Sequence, residues 1–417
     1  MQNNISTQEG WQNTTLGALA DYINGYAFKP RDWQASGLPI VRIAQMTDPS
    51  EDFDYYPHPL PEKYQIDTGD LLFSWSATLT ALIWQRGPAY LNQHIYKVVP
   101  HSDTDVRFLH QFLNHLIVKL VGHTHGTTMR HIKRSDLIPF PVSVPRKPEQ
   151  SRIAQILDTV DEAIAKTEAL IAKLRQVRAG LLHDLLTRGI DENGQIRDPA
   201  AHPEQFRDSP LGRLPRKWQL LRLEGASVKV QDGTHFSPKS TSGPRRYVTS
   251  KNIRFGFLDL TDCGWISEAE HREIYKRCDV QKHDILLTKD GANTGNAALN
   301  ILDEEFSLLS SVALIRCRRG LSHYDFLLNY LISPLGQKRL KDMMSGNAIT
   351  RLTLQKIKNF VIPLPPFDEQ INIAEQLRAC GDSIVSIENE LLKLTKIKSG
   401  FMSDLLTGRV RVPEGII

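Results

Sequence analysis

The sequence predicts a mixed α/β chain built as an internal pseudo-twofold duplication: two tandem α+β globular domains, each followed by a long helix, with the two helices pairing as a coiled coil. Three observations predict it. The segment Pro148 to Ile190 recurs without a gap as Asp368 to Val410, with Gln150 matching Gln370 at an offset of 220, and roughly a third of the positions are identical. Both copies carry apolar residues at alternating spacings of three and four, the seam of a coiled coil. Short β-like runs separated by turn residues precede each copy.

The helices come first because their signal is strongest. One seam runs through Leu157, Val160, Ile164, Thr167, Ile171 and Leu174, and in the same register the other runs through Leu377, Cys380, Ile384, Ile387, Leu391 and Leu394. Pro145 and Pro148 fence the start of the first helix, and Pro363, Pro365 and Pro366 that of the second. The run Asp184-Leu185-Leu186-Thr187 returns unchanged as Asp404-Leu405-Leu406-Thr407, with Gly189 and Gly408 just beyond as C-terminal stops. Each helix should span about 38 residues, ~57 Å at 1.5 Å per residue, an arm rather than an ordinary globular helix. Matching seams in matching repeats favour mutual pairing over two unrelated surface helices.

The duplication reaches back beyond the helices. Gly126 to Ile132 aligns with Gly346 to Leu352 at the same offset, and near the start Trp11 and Leu16 match Trp218 and Leu223. Gly25-x-x-Phe28-x-Pro30 matches Gly233-x-x-Phe236-x-Pro238, and Gly69 to Ser74 matches His283 to Thr288, each a turn followed by a buried strand. Further β-like runs are Leu38 to Ile43, Ile95 to Val99 and Val312 to Arg316, with helical patches at Phe108 to Leu120 and Phe326 to Leu340. The expected division is a first globular domain over 1–145, a helix over 146–190, a linker over 191–213, a second domain over 214–365, a helix over 366–410 and a tail over 411–417.

Composition narrows the function classes. A chain of 417 residues needs two or three domains, and its formal net charge of +4 permits nucleic acid as a partner without demonstrating it. Cys263, Cys278, Cys317 and Cys380 are too far apart for a C-x-x-C pair, which argues against a zinc ribbon or a disulfide framework and favours a reducing cytoplasm. Met1 to Gly10 is polar and no run approaches the ~18 apolar residues of a membrane span, so no export or membrane anchoring is expected. Two related halves present two equivalent surfaces, and duplex DNA is a target that is itself twofold.

At this point the residues carry a family resemblance. Gly10-Trp11, Leu16-Gly17, Asn24 to Pro30 and Ile40 to Ile43 are similar to the opening of a target-recognition domain in the specificity subunits of type I restriction-modification enzymes. The same holds from Trp218 onward, with Asp232-Gly233-Thr234-His235 and Val248 to Ile253. Pro365 to Gln370 resembles the family's helix start, its counterpart Pro145 to Gln150 departs from that pattern at Arg146-Lys147, and Asp-Leu-Leu-Thr resembles the helix exit. The resemblance covers nearly the whole chain. It implies two target-recognition domains separated by antiparallel helices, reading a bipartite asymmetric duplex site and docking two methylation subunits and motor-nuclease subunits. It also implies a bacterial or archaeal cytoplasm, with S-adenosylmethionine, ATP and magnesium used by the partner subunits and none bound by this chain. The alternatives are a specificity subunit of a methylation-only or other split-site system, and a coiled-coil scaffold with no DNA role.

A self-contained adenine methyltransferase is the competing enzyme reading. Leu364-Pro365-Pro366-Phe367 resembles the loop that holds an exocyclic amine in such enzymes, but Leu364 stands where a polar acceptor is required. No strand followed by Gly-x-Gly, no phosphate-binding G-x-x-x-x-G-K-[ST] and no acidic-plus-lysine nuclease cluster is present, so no catalytic residue is assigned. Gly291 to Gly295 reads as a turn at a DNA-facing edge, and His123, His125 and His131 lack the Cys or Asp partners of a metal site.

DNA-contact candidates lie in loops flanking the short strands. In the first domain they are Lys29, Arg31, Arg42, Gln45, Ser74, Trp75, Arg130, His131, Lys133 and Arg134. In the second they are Lys239, Arg245, Arg246, Lys251, Asn252, Lys289, Asn293, Thr294, Arg351 and Lys356. Arginine grips guanine bidentately and Asn or Gln grips adenine, whereas lysine more often fixes a phosphate.

Overall fold

A computed structural model describes residues 10–123, 131–344 and 351–415. The chain forms two compact units, one of Met1–Ala169 with Glu388–Ile417 and the other of Leu170–Ile387. Each unit therefore holds the first part of one long helix and the last part of the other.

The first unit is built on a four-stranded antiparallel sheet in the order Ala20–Asn24, Ile95–Pro100, Leu71–Ser74, Thr80–Ile83. A second sheet centres on Leu38–Val41, which pairs antiparallel with Asp54–Tyr56 and parallel with Ala89–Leu91. Trp11–Thr15 pairs with Pro141–Pro145, leading the chain into the first long helix. The helix Val106–His123 closes the core over Phe108, Leu109, Phe112 and Leu113.

The second unit repeats that plan. Its four-stranded sheet runs Ser227–Asp232, Val312–Cys317, Ile285–Thr288, Ala297–Leu299. Arg245–Val248 pairs antiparallel with Gly264–Ile266 and parallel with Ser307–Leu308, and Gln219–Arg222 pairs with Val361–Leu364. The matched glycines of the sequence repeat now have a reason. A Cβ on Gly25 would lie 2.3 Å from the carbonyl oxygens of Leu91 and Asn92, and one on Gly233 would lie 2.0 Å from that of Leu308. Both glycines let one backbone pass directly over another.

Two expected elements are subdivided. The strand expected over Leu38 to Ile43 stops at Val41, because the Arg42 backbone N–H donates to Gln45 Oε1 at 3.1 Å and turns the chain into the helical turn Ile43–Thr47. The helix expected over Phe326 to Leu340 is two helices, Tyr324–Ile332 and Pro334–Asp342. Pro334 has no N–H to continue the first, and Ser333 caps the second by accepting from the Gly336 N–H at 3.0 Å.

The long helices span Lys147–Thr187 and Phe367–Leu405, about 60 Å each at 1.5 Å per residue. Gly189 and Gly408 end them with φ of +63° and +72°. In the first unit Leu157 shares a core with Leu405 and Leu406, and Lys398 Nζ pairs with Asp161 Oδ1 at 2.5 Å. In the second unit Leu377 shares a core with Leu182, Leu185 and Leu186. In each unit the start of one helix lies with the end of the other, which is the antiparallel arrangement. Leu157, Ile171, Leu377 and Ile384 are buried, and Val160, Ile164, Leu174, Cys380, Ile387, Leu391 and Leu394 are half-buried among exposed neighbours.

That stripe yields a test. Ile384 is 7% exposed, so Ile384→Asp places an unpaired carboxylate in the seam at an expected cost of several kcal/mol. Lys166→Asp, at a side chain 80% exposed, is the control and should change the unfolding temperature little. Equal melting of the two variants would show that the seam carries no packing.

Candidate nucleic-acid interface

In both units three segments meet at one point of the main sheet. In the first, the Trp75 N–H donates to the His94 carbonyl at 3.2 Å, the Ile132 N–H donates to the Trp75 carbonyl at 2.9 Å, and Ser76 bridges to His131. In the second, the Lys289 N–H donates to the Ser311 carbonyl at 2.8 Å, the Leu352 N–H donates to the Lys289 carbonyl at 2.8 Å, and Asp290 bridges to Arg351. The backbone is the same and the side chains are not.

The first junction is aromatic. Trp75 lies with its ring centroid 5.4 Å from His94, 6.0 Å from Tyr96 and 6.0 Å from His131, and its Nε1 donates to the Gln93 carbonyl. His131 is exposed, and so are Lys133 and Arg134 at the helical turn that follows. The second junction is ionic. Lys289, only 3% exposed, reaches Asp290 at 3.0 Å and Asp232 at 3.6 Å, and Arg351 pairs with Asp290 while staying 60% exposed. Asp232 also receives Arg277 and His235. Next to this junction Asn293 and Thr294 sit in the turn between Ile285–Thr288 and Ala297–Leu299, where Thr294 Oγ1 donates to the Gly291 carbonyl. Lys356 Nζ donates to the Met343 carbonyl at 2.7 Å.

Four candidates are structural in this fold. Gln45 and Asn252 occupy equivalent turns and are 2% and 1% exposed. Each accepts the N–H that starts its turn, from Arg42 and Thr249, and each spends its amide N–H on carbonyls, Asp52 for Gln45 and Asp259 and Asp262 for Asn252. Ser74 is fully buried, donating to the Thr78 carbonyl and accepting from the Thr80 N–H. Lys289 is buried between two carboxylates, as described. The fold buries these four side chains and engages each in internal polar contacts, where the sequence placed them in loops flanking the strands.

The remaining candidates cluster on the second sheet of each unit. Arg42 pairs with Asp54 and lies 5.0 Å over the Trp33 ring, with Lys29 and Arg31 exposed on the nearby turn. Arg246 pairs with Glu304 and lies 5.0 Å over Trp265, a matching cation–π contact. Arg245 is taken by Glu268, and its hydrogen bond heads the causes that hold that carboxyl down to about 2. Glu270 is likewise held to about 2 by the Ser240 and Ser267 hydroxyls, with the Lys239 backbone N–H adding to them. Lys251 pairs with Asp262. In the second unit the turn that carries Lys251 reaches the junction, where the Ser250 N–H donates to Ser311 Oγ at 3.2 Å. Arg130 and His125 lie outside the described residues, as does the side chain of His123. Among the described residues no three His, Cys, Asp or Glu side chains are grouped to hold a metal ion, and no helix is long and apolar enough to cross a membrane.

His94 and Asp290 were not singled out from sequence, and Asp232 entered only as the first residue of Asp232-Gly233-Thr234-His235. Extending the match of Gly69–Ser74 with His283–Thr288 by two residues would have set Ser76 opposite Asp290, but His94 arrives from the turn before Ile95–Pro100 and Asp232 from the end of Ser227–Asp232, both distant in the chain.

Residues 8–176 and 262–396 match the family described as Type I restriction modification DNA specificity domain. The chain is 26% identical over 430 residues to the type I restriction enzyme EcoBI specificity subunit of Escherichia coli, covering 97% of this chain and 87% of that one. It is 23% identical to the MjaVIII specificity subunit of Methanocaldococcus jannaschii, covering 83% and 80%. In fold it is similar to the crystal structure of the type I restriction-modification S subunit from M. genitalium, with a TM-score of 0.58 at 16% identity over 97% of this chain and 98% of that one.

Proposed function

Because the chain belongs to the type I restriction-modification DNA specificity family and is a non-catalytic recognition subunit, we propose that it reads a bipartite, asymmetric duplex site, one half-site for each of its two recognition units. The observation that carries this reading is the doubled junction, one backbone frame with aromatic side chains in one unit and ionic ones in the other. Equal frames suit two half-sites on one duplex, and unequal side chains make the half-sites differ. The paired helices set the spacing between the halves and offer repeated surfaces to two methylation subunits, and the assembly takes motor-nuclease subunits for cleavage. S-adenosylmethionine, ATP and magnesium are then bound by those partners, in the cytoplasm of the host.

The direct test is to map methylated adenines in DNA exposed to this chain together with its methylation subunits. One split site with two different halves is expected. A chain acting only as a coiled-coil scaffold would give no such site and no salt-sensitive duplex binding. The isolated chain should transfer no labelled methyl group to duplex DNA, and clear turnover without a partner would refute the recognition-subunit reading.

A further inference from the structure

We infer that Arg351 reads a guanine in the half-site of the second unit, and that Asp290 and the buried Lys289 are the positioning residues that aim it. The inference rests on the proposed reading of split duplex DNA and assigns a base contact within it.

The geometry is that of an exposed guanidinium paired with a carboxylate that is itself held from the interior. Asp290 Oδ1 lies 3.0 Å from Arg351 Nε, an ion pair that keeps the guanidinium and its two terminal nitrogens at the surface. Those two nitrogens form the fork that matches guanine O6 and N7 in the major groove. The other Asp290 oxygen is held by Lys289 Nζ at 3.0 Å, and Lys289 is held in turn by Asp232 at 3.6 Å. Lys289 and Asp232 are 3% and 6% exposed, whereas Arg351 is 60% exposed. The series thus runs from the buried Lys289 and Asp232 out to Arg351 at one end, with Arg277 and His235 meeting Asp232 at the other. A guanidinium already held in an ion pair gives up less rotamer freedom on binding than a free arginine does.

The first unit supports the assignment by contrast. At the backbone position of Arg351 it carries His131, at that of Asp290 it carries Ser76, and at that of Lys289 it carries Trp75. The Trp75 ring then takes the supporting place against His131 that the carboxylate takes against Arg351. One slot carries two chemistries, which is what two different half-sites require.

The test uses the full chain assembled with its methylation subunits and a set of duplexes in which every position of the mapped site is substituted in turn. Arg351→Lys keeps the charge and loses the fork. It should lose roughly 10- to 100-fold of discrimination at one G·C pair in one half-site, with the other half-site read as before. Asp290→Asn should weaken discrimination at the same pair by a smaller factor, and Arg351→Ala should match or exceed the lysine variant there. Continued reading of the first half-site reports that the variants are folded. A half-site without guanine, or uniform weakening on all duplexes with discrimination unchanged, would overturn the inference and leave the split-site reading standing. Failure of the unaltered complex to methylate any split site would overturn both.

Discussion

Replacing Arg197 with methionine is expected to destabilise the second unit by roughly 3–5 kcal/mol, the cost of leaving a buried carboxylate without its charge partner. Arg197 grips Glu369 with both terminal nitrogens, at 2.6 and 3.1 Å, and the two side chains are 9% and 8% exposed. The same carboxylate accepts the Ile190 N–H and the Trp218 Nε1–H, each at 3.1 Å. Glu369 thus fastens the end of one long helix, the following linker and the opening of the recognition domain to the start of the other helix. The fit is close. A Cβ on Gly189 would lie 2.2 Å from Glu369 Oε1 and 2.6 Å from the Trp218 ring. Thermal unfolding should show a drop on the order of 10 °C.

The first unit supplies the internal comparison. Glu149, the repeat partner of Glu369, is gripped by Arg411 at 2.7 and 2.8 Å and accepts the Val412 N–H. Arg411 is 42% exposed, so water partly replaces it and Arg411→Met should cost less than Arg197→Met. The reverse order would show that burial does not set the strength of these clamps. Burial alone would raise the Glu149 carboxyl, but the hydrogen bonds from Arg411 and Val412 and the Arg411 charge outweigh it and the net shift is downward. A lowered folded value means that the contribution is complete above the ordinary carboxylate range near ~4.3 and is lost as pH falls through the folded value. Acid should therefore loosen this clamp, and Glu149→Gln should remove that part of the acid sensitivity.

Exchange of residues 218–364 for the corresponding domain of a relative is expected to replace one half of the methylated site completely and leave the other half unaltered. The exchanged piece carries the whole second junction, including Asp232, Lys289, Asp290 and Arg351, and none of the first. It also keeps both long helices of the original chain. An insertion of four residues near Lys166, about one turn or ~6 Å, should instead widen the spacer by roughly one to two base pairs at ~3.4 Å each, with both half-sites retained. Sequencing that detects methyladenine reads both results. A domain exchange that changed both half-sites, or an insertion that changed base preference, would rule out separate readers on a spacing arm.

The sequence by itself determined the duplication, the mixed α/β class, the two long helices and their seams. These are legible because helical periodicity is a local signal, repeated here at a constant offset, and because close backbone approach at Gly25 and Gly233 admits no side chain. Residue type alone misplaced Gln45, Ser74, Asn252 and Lys289 on the surface. Polar side chains look alike in sequence whether they face a groove or satisfy a turn, and only the fold shows that these four spend their donors internally. The tertiary structure alone decided the clamps between Glu369 and Arg197 and between Glu149 and Arg411, and the ion pairs that join Arg351, Asp290 and Lys289. Those contacts join segments far apart in the chain, and nothing in local periodicity specifies which distant charge will share a buried site.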